Sequence, residues 1–96
     1  MRVRWTRPAL AQLAAIQEYI AEDSPTAANR IVRGIRIDVD RLDNFPAMGR
    51  PGRVAGTREL VVNKGRHVVA YHVRGQSVEI IAAIDARREW PERFES

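Results

Sequence analysis

The 96-residue chain contains no cysteine, which removes disulfides, zinc–thiolate sites, iron–sulfur clusters and thiol nucleophiles together. It contains a single lysine, Lys64. Aromatic residues make up only 6% of the chain. No apolar run approaches the roughly 20 residues that a membrane span needs, and the opening MRVRWTRPAL lacks the apolar centre of a signal peptide. A cytoplasmic protein with no membrane association is expected. The two histidines, His67 and His72, fall on opposite faces of one strand, and neither an HExxH pattern nor a carboxylate cluster accompanies them. No metal site is expected. The stretch Gly49-Arg50-Pro51-Gly52-Arg53 matches neither a phosphate-binding nor a dinucleotide-binding glycine pattern, so no cofactor is expected. A chain of this length has room for one core, and a single domain over 1–96 is the expectation.

What the chain does have is arginine. Sixteen basic residues face twelve acidic ones for a net charge of +4, and fifteen of the sixteen are arginine. Residues 1–45 carry seven basic and six acidic groups, residues 46–84 six and two, and residues 85–96 three and four. The excess therefore sits in the middle of the chain. The planar guanidinium fork suits carboxylates and phosphates, so an acidic partner is expected there.

Local signals divide the chain in two. Arg2 to Trp5 is a short extended start. Thr6 is a good N-cap with Pro8 in the first turn, and Leu10, Leu13, Ile16 or Gln17, and Ile20 recur at helical spacing, which predicts a helix near 7–22. Ser24 caps a second helix that begins at Pro25. Its stripe runs through Ala28, Ile31 or Val32, Ile35, Val39 and Leu42, and it ends before Phe45-Pro46. So short a link makes the pair an antiparallel helical hairpin, about 7–44. Residues 45–57 hold prolines and glycines and read as loop.

Beyond the loop the period becomes strand-like over 58–84. Arg58–Val62, Arg66–Val73 and Val78–Ile84 are β-branched runs separated by turn residues. A two-residue turn at Gly75-Gln76 pairs residue i with 151 − i. That register places Tyr71 opposite Ile80, Val69 opposite Ala82 and His67 opposite Ile84 on the face toward the helices. On the other face it places His72 opposite Glu79, Ala70 opposite Ile81, Val68 opposite Ala83 and Arg66 opposite Asp85. The turn around Lys64-Gly65 puts Leu60 beside Val69 and Val62 beside His67. The face away from the helices then carries Val61, Val68, Ala70, Ile81 and Ala83 between charged margins, an apolar strip suited to a partner unless the segment 85–96 folds back over it.

These residues, in this order, resemble the RelE/ParE superfamily of toxins from bacterial type II toxin–antitoxin modules, and the ParE branch most. The resemblance rests on Trp5-Thr6, Ala9-Leu10, Leu13, Ile16 and Tyr19-Ile20, then Ser24-Pro25 and Ala27-Ala28. It continues through Phe45-Pro46, Met48-Gly49-Arg50-Pro51-Gly52 and Gly56 to Val62. It ends with Val68-Val69-Ala70-Tyr71, Val78-Glu79-Ile80-Ile81 and Arg87 to Pro91 with Arg88 and Trp90. It implies an α+β fold of order β-α-α-β-β-β, with the helical hairpin packed on one face of a small, largely antiparallel sheet. It also implies a cognate antitoxin with an acidic C-terminal segment and a ribbon-helix-helix DNA-binding domain, so that DNA is contacted only through the antitoxin complex.

The superfamily divides by target. Its RelE-like members cut messenger RNA on the ribosome with basic residues of the sheet and a tyrosine or histidine near the C-terminus, and its ParE-like members poison DNA gyrase. Here no tyrosine or histidine follows position 72, and Asp85 stands where messenger-cutting relatives often have histidine. A gyrase-binding inhibitor with no catalytic residue is therefore the leading expectation. Arg87, Arg88 and Trp90 are its candidate target contacts, being residue types that dominate interface hot spots. Arg50, Arg53, Arg58, Val61, Arg66, Val68, Ala70 and Ile81 are the candidate antitoxin contacts. The alternative is a ribosome-dependent endoribonuclease using Arg66, His72, Arg87 and Arg88, with His72 steered by Glu79. A third is a non-toxic interaction module or co-repressor.

Overall fold

Two hydroxyl caps start the helices. The computed structural model describes residues 1–88, 90 and 94. Thr6 accepts from the Ala9 N–H at 3.4 Å and begins α1, Arg7–Ala21; Ser24 accepts from the Ala27 N–H at 3.1 Å and begins α2, Pro25–Asp40. In each helix a proline occupies the first turn, where its missing N–H costs nothing. Replacing Ser24 with alanine is expected to cost about 1 kcal/mol, read as a shift in the urea midpoint at constant m-value.

The α2 stripe is buried at Ala28, Val32, Ile35 and Val39, and continues to Leu42 in the 3-10 turn Arg41–Asp43. In α1 the buried positions are Ala9 and Leu13, and Leu10 is exposed. The expected stripe is thus displaced by one residue at its start. Thr6 also donates from both N–H and hydroxyl to the Ile80 carbonyl, at 3.0 and 2.7 Å, so the small Ala9 meets the sheet at the closest approach.

The strands are β1 (Arg2–Trp5), β2 (Arg50–Pro51), β3 (Arg58–Val62), β4 (His67–Arg74) and β5 (Ser77–Asp85), in the order β1-β5-β4-β3-β2. β1 is parallel to β5 and every other pairing is antiparallel. This is the expected α+β order with one addition, the two-residue β2 inside the segment read as loop. The core lies between the helices and the sheet face made by Val3, Trp5, Leu60, Val62, Val69, Tyr71, Val78, Ile80 and Ala83. Gly75, at φ +59, makes the β4–β5 turn, with Arg74 opposite Ser77. In the second turn Leu60 pairs with Val69 and Val62 with His67, as expected.

The expected β4–β5 register holds from Arg74 to Tyr71 and then breaks. Tyr71 faces Ile80, but Ala70 faces Ala82, so β5 spends one extra residue there, a β-bulge at Ile81. Val69 consequently pairs with Ala83, Val68 with Ile84, and His67 with Asp85. Three consequences follow. Ala83 joins the core face, Asp85 meets His67 instead of Arg66, and the Ala83 N–H donates to the Gln12 side chain of α1 at 2.9 Å.

Candidate functional site

The bulge brings β5 into the helical hairpin and opens a groove of about 750 Å3 at that end of the sheet. Its helical wall includes Ile16, Tyr19, Ile20 and Ile31; its sheet wall includes Arg66, His67, Asp85, Arg87 and Arg88. The helical side is mostly apolar but also carries Gln12, Asp23 and Ser24, and the sheet side sets three arginines beside Asp85. Tyr19 is 75% exposed, a large hydrophobic side chain standing open on the rim.

His67 is buried where it lines this groove, and its Nδ1 lies 3.1 Å from the Asn63 amide nitrogen. Burial pushes its pKa below the ordinary 6.5, the Asp85 charge pulls it up, and the Arg66 and Arg87 charges push it down further. An Asp85→Asn variant is therefore expected to lower the His67 pKa and Arg66→Gln to raise it, followed by NMR titration of the ring protons. Unchanged titration in both variants would show that the His67 charge does not feel these neighbours. Asp85 is turned to Arg87, accepting at Oδ1 from the Arg87 N–H at 2.8 Å and at Oδ2 from Nη2 at 3.3 Å. Those bonds hold its carboxyl below the ordinary range and raise Arg87.

His72 lies near the other end of β4. Its Nε2 is 2.7 Å from Glu79 Oε1, and the second Glu79 oxygen takes Arg4 of β1. The expected His72–Glu79 pair forms, but six residues of strand, roughly 20 Å, separate His72 from Arg66. The structure brings Arg66, Arg87 and Arg88 together and leaves His72 out of that group. His67, read from the sequence as a core-facing strand-end residue, stands among them instead.

Of the arginines expected on an antitoxin, Arg50, Arg53 and Arg58 are engaged within the chain, while Arg66 lines the groove. Glu59 is 3% exposed; its Oε1 accepts from Arg50 Nε and Nη2 at 3.1 and 3.0 Å, and its Oε2 from Arg53 N–H and Nε at 2.9 and 3.1 Å. Arg58 donates to the Gly49 carbonyl at 2.7 Å. The Tyr71 hydroxyl donates to the Pro46 carbonyl at 2.7 Å and accepts from the Gly49 N–H at 2.9 Å. Residues 46–59 are thus clamped to the sheet.

The apolar strip is not an open seat. Val68, Ala70 and Ile81 are buried, Ala83 belongs to the core, and only Val61 of that set is exposed. The helices lie on the other face, so a different segment covers these residues. Arg53 stacks over the Trp90 ring at 3.9 Å, and Trp90 meets Phe94 edge-on at 5.9 Å. Trp90 and Phe94 thereby lie on the Arg53 side of the sheet. Trp90 accordingly parts from Arg87 and Arg88, with which the sequence grouped it. Pro91 lies outside the described residues.

A family model for the ParE toxin of type II toxin–antitoxin system, parDE, matches residues 3–90. The chain belongs to the ParE toxin family. A putative toxin, Y4kP, of Sinorhizobium fredii is 43% identical over 91 residues, 95% of this chain and 94% of that protein. Toxin RelE2 of Caulobacter vibrioides is 39% identical over 87 residues, 91% of this chain and 97% of that protein. A solved chain of the chromosomal ParDE TA system from P. aeruginosa superposes with a TM-score of 0.82 at 29% identity, covering 91% of this chain and 97% of the other. In this ParE toxin the motif Met48-Gly49-Arg50-Pro51-Gly52 is the clamped segment itself. The sequence offered no mark of the Asn63–His67 contact or of Tyr19 as a groove residue. Glu59 was legible only as a neighbour of Arg58.

Proposed function

We propose that this toxin acts by binding DNA gyrase and is silenced when an acidic amphipathic segment of its antitoxin occupies the groove. Membership in the ParE family supports the target. The groove supports the partner: the apolar Ile16, Tyr19, Ile20 and Ile31 opposite Arg66, Arg87 and Arg88 match a segment with one apolar and one acidic face. Arg87 and Arg88 are then shared between antitoxin and target, so that occupancy by one excludes the other.

The observation that carries binder over nuclease is the separation of His72 from Arg66, Arg87 and Arg88. RNA cleavage needs a base, a cationic cradle for the phosphorane and an acid for the leaving oxygen on one substrate. The proximity of His67 to those arginines favours one second reading, an endoribonuclease with His67 in place of His72. Against it, the Nδ1 of His67 is occupied by Asn63 and an anionic Asp85 faces the ring.

The deciding experiment uses purified, antitoxin-free protein in two parallel assays: gyrase supercoiling with linear DNA scored, and translation-dependent cleavage of a reporter mRNA. Lost supercoiling with intact mRNA is expected, with toxicity retained in His67→Ala and His72→Ala. Codon-phased cuts with gyrase untouched would overturn the proposal, and silence in both from folded protein would point to the non-toxic module.

A further inference from the structure

Beside the groove, and sharing Arg66 and Arg87 with it, is a notch of about 340 Å3 lined by Lys64, Gly65, Arg66, Ala86 and Arg87. Three of the five lining residues are cations, and the other two, glycine and alanine, are the smallest side chains. No carboxylate lines it, and Asp85, which neighbours Ala86 in the chain, directs its oxygens to Arg87. Lys64, the only lysine, is held at the tip by three successive residues in left-handed backbone, Asn63 at φ +51, Lys64 at +56 and Gly65 at +88. That conformation is costly for a lysine, and costly backbone is most often kept where it positions a group. Among the described residues Arg87 is paired with Asp85 at 3.3 Å, whereas Lys64 and Arg66 take part in no ion pair.

The chemistry differs from that of the groove. An acidic helix needs a large apolar surface beside its carboxylates, and the notch offers only Ala86 as an apolar side chain. A small tetrahedral anion fits the unpaired Arg66 guanidinium and the Lys64 ammonium, with Arg87 held beside them by Asp85, around a space lined otherwise by glycine and alanine. No aromatic lines the notch to stack an unpaired base, which favours a duplex backbone over a single strand. We propose that this notch is a phosphodiester site through which the toxin itself grips the backbone of double-stranded DNA. It goes beyond the gyrase reading, since it requires neither gyrase nor an antitoxin, and it departs from the expectation that DNA is contacted only through the antitoxin complex.

The test is binding of a short fluorescent DNA duplex to antitoxin-free toxin, by anisotropy across a salt series. Two phosphate contacts, from Lys64 and Arg66, give a slope of log affinity against log salt of about −2. Lys64→Gly removes one cation and relaxes the left-handed backbone, so it folds, and it is expected to make the slope shallower by about one. The triple variant Arg30→Gln, Arg33→Gln, Arg41→Gln loses more charge from the second helix and its end, and is expected to keep the wild-type slope. Inorganic pyrophosphate is expected to displace the duplex. Equal loss in both variants would reduce the effect to net charge and overturn the proposal. So would an unchanged slope in Lys64→Gly, tighter binding of single-stranded RNA, or displacement by polyglutamate but not pyrophosphate. Coating of the plasmid by toxin would lower supercoiling without trapping cleaved DNA, so the linear product reports gyrase and the salt slope reports the notch, and the two proposals fail separately.

Discussion

Gly49→Ala is expected to destabilise the fold by about 3 kcal/mol, lowering the melting temperature by roughly 10–20 °C. A Cβ at position 49 would stand 2.7 Å from the Tyr71 hydroxyl oxygen, 2.8 Å from the Glu59 carbonyl oxygen and 2.8 Å from Tyr71 Cε1. None of these atoms can give way freely. Tyr71 is fully buried, with its hydroxyl held by Pro46 and Gly49, and the Glu59 carbonyl belongs to β3. Relief would require the loop to lift, which also breaks the Arg58 bond to the Gly49 carbonyl. Tyr71→Phe provides the scale. It keeps the ring and removes only the hydroxyl, leaving one carbonyl and one N–H without their partner, and is expected to cost about 1–2 kcal/mol. Calorimetry of both variants checks the ranking, and a Gly49→Ala protein no less stable than Tyr71→Phe would show that the loop is not clamped there.

Glu59→Gln is the second large effect, expected to cost about 2 kcal/mol at neutral pH. The figure is set below that for a fully buried pair because both guanidinium groups reach water, with Arg50 and Arg53 side chains 53% and 46% exposed. Burial alone would raise the Glu59 pKa, but the Arg53 N–H, then the guanidinium bonds from Arg53 and Arg50, outweigh it and hold the carboxyl below its ordinary 4.5. The sign of the pH dependence follows. A depressed carboxyl contributes its full stabilisation above the ordinary value and loses it as pH falls through the lower folded value. The wild-type protein and Glu59→Gln are therefore expected to differ at pH 7 and to converge in acid, measured by urea unfolding across pH. Parallel curves would remove Glu59 from the account. Because Arg53 also carries the Trp90 ring, the variant is expected to change tryptophan emission near neutrality, a readout of the C-terminal segment.

Both effects sit in a segment that reads as loop from the sequence. Pro46, Gly49, Pro51 and Gly52 mark the breaks correctly, yet what makes Gly49 indispensable is the Tyr71 ring, 22 positions away. A pattern of turn residues reports local backbone freedom and nothing about the side chain that later fills the space beside it.

The strands illustrate the same division. Alternation placed Tyr71 opposite Ile80 and His72 opposite Glu79, because Gly75-Gln76 sets the register and the polar residues mark the faces. Past that point β5 runs Ile80-Ile81-Ala82-Ala83-Ile84, in which every residue suits either face. With no polar mark, an extra residue changes the parity without leaving a trace in the sequence. That single residue decides whether Asp85 meets Arg66 or His67, and so decides the electrostatics of the groove.

By itself the sequence determined the helical hairpin with its two hydroxyl caps, the α2 stripe, the strand–turn–strand end and the family. The structural features follow from local propensity and periodicity, which act over a few residues, and the family from the order of its motifs along the chain. Only the tertiary structure decided which arginines are engaged within the chain, that the strip around Val68 and Ala70 is covered, and that His67 rather than His72 joins Arg66, Arg87 and Arg88. Those outcomes depend on contacts between segments tens of residues apart, where burial and charge pairing select one arrangement among several that the same local pattern allows.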